Sequence, residues 1–145
     1  MSELTDKKQP SSEESTHQMK HIETISLANG LAVELYDLSR KVAGDRWLVK
    51  LLARIPVEVT RKAFEEFSEP DIQFQEYIKS QGSRIYFEQV KERNFIDEKE
   101  RDELFNLMQN ELKTHLLGYM GHKKFPEGVL KKEIKDFSDR RKWYN

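Results

Sequence analysis

Ile22-Glu23-Thr24-Ile25-Ser26-Leu27, then Ala28-Asn29-Gly30, then Leu31-Ala32-Val33-Glu34-Leu35: the pairing of these two runs decides the fold. Apolar residues flank a short Asn-Gly turn, which is a β-hairpin signal. Two registers compete. A two-residue loop sets Ser26 opposite Val33 and Thr24 opposite Leu35, which mixes the faces. A three-residue loop with Gly30 left-handed sets Leu27 opposite Leu31 and Ile25 opposite Val33. Ser26 then faces Ala32, and Thr24 faces Glu34. That register separates an oily face from a polar one, so it is the expected pairing.

Downstream the second strand ends near Leu38, and Ser39–Asp45 reads as a polar loop. Arg46 to Ile55 then alternates with period two, the mark of a third strand. Trp47, Val49, Leu51, Ala53 and Ile55 share one face, expected to be buried. Arg46, Lys50 and Arg54 share the other. Pro56 predicts a bend or an edge position there. Thr60–Phe67 reads as a short helix or turn. Ser68 or Glu69 is the expected cap of a second helix, with Pro70 in its first turn and Gly82 past its end. Ser83–Lys91 alternates as a fourth strand. Asp97 and Glu100 fit a capping box for a helix over 97–120. Its stripe is Leu104, Phe105, Met108, Leu112, Leu116 and Tyr119. Pro126 opens a last helix with Leu130, Ile134, Phe137, Arg141 and Tyr144 on one side. The fold class is therefore α+β, ordered β-β-β-α-α-β-α-α. An antiparallel sheet of about four strands is covered on one face by helices.

Upstream, residues 1–20 are rich in Ser, Glu, Lys and Gln and hold few apolar residues. Such a segment buries too little surface to offset the cost of ordering, so a disordered tail is expected, with a single domain over 21–145. Neither a hydrophobic signal core nor an apolar run of ~20 residues is present, so no export and no membrane span are expected. The chain has no cysteine, which excludes disulfides, thiolate metal sites and a thiol nucleophile and suits a cytoplasmic setting. Net charge is −1, so no global field draws in a polyanion, and nucleic acid is not the expected partner.

The charged stretch from Asp37 to Arg46 is the first candidate site. Asp37, Ser39, Arg40, Lys41, Asp45 and Arg46 surround Gly44, and such basic residues can grip a phosphate or carboxylate. Alternatively these charges only pair with one another. Asp37-Leu38-Ser39 resembles the start of the Asp-x-Ser-x-x-Gly element of the cyclic-dinucleotide-binding PilZ family. Gly44 falls two positions late and no Arg-x-x-x-Arg precedes it, so the family is not assigned.

Other motifs fail on geometry. Glu88 and Lys91 are three apart and do not share a strand face, as a metal-dependent nuclease pair must. Arg84-Ile85-Tyr86-Phe87 lacks the glycine–aromatic pattern of an RNA-recognition sheet. His115 and His122 sit ~10 Å apart along a helix, too far for one metal ion, so no metal or other cofactor is expected. No catalytic motif is present.

The C-terminal segment is the second candidate. Residues 122–145 hold eight Lys or Arg against four Asp or Glu, while the rest of the chain is net acidic. Lys131, Lys135, Arg140, Lys142, Trp143 and Tyr144 form the expected docking surface for a protein partner with an acidic face. A basic last turn also complements the helix dipole without any partner. The reading favoured is a non-catalytic binding or regulatory module. Its alternatives are a small enzyme or ligand-binding domain using the Asp37–Arg46 loop and a nucleic-acid binder using the basic C-terminal segment.

Overall fold

The computed structural model describes the backbone of residues 19–144 and the side chains of residues 19–142. The expected tail lies outside them except for Met19 and Lys20, and Lys20 already opens the first strand. The elements are β1 (Lys20–Ser26), β2 (Ala32–Asp37), β3 (Arg40–Ala43), β4 (Arg46–Glu58), α1 (Arg61–Phe67), α2 (Phe74–Gln81), β5 (Arg84–Asp97), a 3-10 turn (Glu98–Glu100), α3 (Arg101–Met120) and α4 (Phe125–Tyr144). The fold is α+β. Its antiparallel sheet has five strands, with β1 beside β2, and with β2, β3 and β5 all pairing with β4.

The β1–β2 hairpin has the three-residue loop. Leu27 N–H donates to Leu31 at 2.8 Å, Gly30 N–H donates to Leu27 at 3.0 Å, and Gly30 has φ +93°. Only glycine adopts such a φ without steric cost.

Residues 39–45 are not the expected loop but hold the strand β3, which corrects the sequence expectation. β2 and β3 keep one register along β4, from Glu34↔Arg54 through Asp37↔Leu51 to Arg40↔Leu48 and Lys41↔Trp47. They form a single line of chain interrupted at Leu38-Ser39. There Leu38 N–H donates to the Lys50 carbonyl, and the Ser39 hydroxyl accepts from Lys50 N–H at 3.0 Å. A side chain thus stands in for a missing ladder partner. Every residue of β3 is exposed, so no burial alternation marks it in the sequence. Gly44-Asp45 closes β3 onto β4, with Gly44 at φ +53° and Asp45 not left-handed, as in a type II′ turn.

Three other boundaries move. Pro56 does not end the strand, and β4 continues to Glu58. The second helix begins at Phe74, after a Glu69–Ile72 turn closed by Ile72 N–H on the Glu69 carbonyl. Pro70 serves that turn, not the helix. β5 runs six residues beyond Lys91, through residues 92–95, which are all exposed and carry no alternation for the sequence to show.

The described chain gathers into two compact units. The first takes β1 up to Ile25, Glu34–Arg54 and Glu88–His115. Its core holds Leu35, Val49, Leu51 and Ala53 with Phe105, Met108 and Leu112 of α3. Lys113 Nζ reaches Glu23 of β1 at 2.8 Å, which ties α3 to the sheet. The second unit takes Ser26–Val33, Ile55–Phe87 and the chain from Leu116 onward. Its core holds Val33, Ile55, Val57, Phe64, Tyr77, Met120, Leu130 and Ile134. Here α1 packs on both α2 and α4. Tyr119, expected on the buried stripe of α3, is 61% exposed, and Met120 is buried instead.

Candidate functional site

The charged stretch from Asp37 to Arg46 divides in the structure. Asp37 and Ser39 serve the backbone. Asp37 Oδ1 accepts from Ser39 N–H at 2.9 Å, and Ser39 accepts from Lys50. Arg40 is exposed on β3. Lys41, Asp45 and Arg46 instead meet the end of β5 and the 3-10 turn, where Asp97 was expected only as a helix cap and Phe95 and Glu98 had no expected role. Trp47 beside them meets Arg101 at the start of α3, and the whole corner lies in the first unit.

Arg46 is the hub. Its guanidinium lies 3.0 Å from Asp97 and 3.9 Å from Asp45, and 5.7 Å from the ring of Phe95. Glu98 is a second hub. It takes Lys41 at 3.7 Å and the Trp47 indole N–H at 3.4 Å, while its own N–H donates to the Asp45 carbonyl at 2.9 Å. Arg101, the first residue of α3, lies over the Trp47 ring at 4.2 Å. Cations prefer the electron-rich face of an indole, which explains the stacking.

Trp47 is therefore half-buried, not a core residue as its alternation suggested. Full burial on that face of β4 begins at Val49, and Trp47 stands near the start of the strand, just after the Gly44-Asp45 turn and under Arg101 of α3. Arg46 and Lys50 do occupy the opposite face, where Lys50 pairs with Glu92 and Arg54 with Glu88.

From Glu88 to Glu92 these ion pairs advance four residues on each strand. From Glu92 to Asp97 β5 advances five residues while β4 advances four, from Lys50 to Arg46. This is the offset a β-bulge produces. Phe95 lies within it, with φ +59°, the sole non-glycine at positive φ among the described residues. Its N–H is held by the Asn94 side chain at 2.9 Å, and its ring is 63% exposed. A bulky residue in this region costs roughly 1–3 kcal/mol.

The electrostatics follow from these contacts. The Lys99 N–H, then the Arg46 guanidinium, hold the Asp97 carboxyl below the usual aspartate range. Asp97, then Asp45, raise Arg46 above its ordinary value. The corner's cations and acids are thus matched, and the aromatic rings are its apolar content.

The C-terminal candidate residues are placed differently. Lys142 Nζ sits 3.6 Å from Glu69, and Lys131 lies 6.0 Å from the Phe67 ring. Lys135 and Arg140 are exposed. The side chains of Trp143 and Tyr144 lie outside the described residues. Phe95 was missed because nothing in Glu92-Arg93-Asn94-Phe95 distinguishes a bulge from a loop, although Asn before an exposed aromatic is a local turn signal.

No helix among the described residues is long and apolar enough to cross a membrane. No protein-family model, curated protein or solved structure matches the chain.

Proposed function

We propose that this chain is a non-catalytic binding module that docks a protein partner on the corner of Phe95, Trp47, Arg46, Lys41 and Arg101. The observation that carries the reading is Phe95. A large apolar ring held at φ +59° and left 63% exposed costs the fold twice, in backbone strain and in unburied surface. Burial of that ring in a partner's apolar pocket would offset both. Arginines and aromatics are the side chains that dominate protein interfaces, and here Arg46 is already held by Asp97 and Trp47 by Glu98.

The same geometry argues against acid–base chemistry. An aspartate held below its ordinary range is a poor base, and Arg46, raised above its ordinary value by Asp97 and Asp45, is a poor proton donor. Matched charges at the corner also disfavour a polyanion.

Photo-cross-linking in the native cell tests the proposal. A benzophenone-bearing phenylalanine replaces Phe95 in one protein and exposed Leu107 in another. The expected result is one discrete protein adduct from position 95 and not from 107. No adduct at 95, or the same adducts at both, would remove the corner as a docking site.

A further inference from the structure

In the second unit, the turn between α1 and α2 faces the last turns of α4 across a cleft of about 260 Å³. We infer that this cleft binds a small zwitterion of amino-acid type, with its carboxylate on Arg141 and Lys142, its ammonium on Glu69 and Asp71, and Ser138 at the floor.

Three observations carry this. The first is Ser138, which is 2% exposed and lines the cleft, and whose Oγ has no hydrogen-bond partner among the described residues. Buried hydroxyls in native proteins are nearly always paired, so one left unpaired beside a cleft points to a bound group.

The second is the distribution of charge. Arg141 lies 3.3 Å from Asp71 and 3.0 Å from Glu76, and Lys142 lies 3.6 Å from Glu69. A lone anion entering the cleft meets Glu69 and Asp71, and a lone cation meets Arg141 and Lys142. A molecule carrying both charges satisfies both sets. The exposed ion pairs it displaces contribute little to stability. Pro70 holds the turn that presents the two acids, so little order has to be created on binding.

The third is size. The cleft is smaller than the ~300–1,000 Å³ that drug-sized ligands occupy, which fits a free amino acid. Ile72 supplies the apolar wall for a short side chain.

The test titrates the isotope-labelled full chain with L-alanine, sodium acetate and methylammonium chloride, and follows the amide resonances of the cleft. L-alanine is expected to shift Ile72 saturably, and neither half-molecule to do so. Ser138→Ala is expected to weaken L-alanine binding about three- to tenfold while the melting temperature stays level or rises. A flat L-alanine titration, saturation by acetate alone, or unchanged affinity in Ser138→Ala would each overturn the assignment. None of these outcomes bears on the Phe95 corner.

Discussion

Tyr77 is 1% exposed and packs edge-on against Phe137 at 4.9 Å and at a tilt against Phe64. Burial raises its pKa, Glu133 adds to the rise, and Arg140 opposes it. A raised value in the folded state means that phenolate forms first in the unfolded chain. The contribution of Tyr77 to stability is therefore intact below the unfolded value of about 10 and is lost as pH rises through the higher folded value. Tyr77→Phe is expected to flatten that alkaline decline, measured by urea unfolding between pH 8 and about 11. An unchanged decline would place the effect on other groups. At this scale the sequence was readable where one conformation has one cheap solution. Gly30 is such a case, because face separation demanded a left-handed residue at that position. Phe95 is the opposite case. Its positive φ falls where the ion pairs of β5 step one residue out of line with β4, and no local pattern encodes an offset between two strands that lie far apart in the chain.

At the scale of elements, the hairpin loop has a second task. Asn29 Nδ2 donates to the carbonyls of Met120 at 2.8 Å and His122 at 2.9 Å, while its Oδ1 accepts from Leu31 N–H. The last carbonyls of a helix have no partner within it, so Asn29 caps α3 from across the second unit. Gly121 permits the approach, since a Cβ there would stand 3.0 Å from the Leu117 carbonyl oxygen and 3.4 Å from the Ala28 nitrogen. Asn29→Ala is expected to cost about 1–2 kcal/mol in urea unfolding, and Asn29→Asp as much, because a carboxylate cannot donate to carbonyls. A cost near zero for both would contradict the cap. The Asn-Gly pair was legible as a turn signal but not as a tie to α3, since the tie needs the tertiary fold. Periodicity likewise revealed β4 and the long helices, whose buried faces are regular. It did not reveal β3, which is wholly exposed and owes its conformation to the register of β2.

For the whole molecule, the two candidate regions read from the sequence have different fates. The stretch from Asp37 to Arg46 was legible as a place where charge gathers. Its partners Asp97 and Glu98 were not, because β5 was expected to stop at Lys91 and nothing in the linear sequence brings the end of that strand to the β3–β4 turn. The basic end of α4 was legible as a charge surplus. The acids of the Glu69–Ile72 turn meet two of its cations, Arg141 and Lys142. The central claim is that Phe95 is kept exposed and strained for a partner and not for the fold. Phe95→Asn tests it most directly, because asparagine tolerates positive φ and adds no flexibility to the unfolded chain. Thermal unfolding of this variant is to be measured together with its affinity for the protein cross-linked through position 95. The account predicts a gain of about 0.5–1 kcal/mol in stability and a loss of at least about tenfold in affinity. A less stable variant that binds the partner undiminished would contradict it.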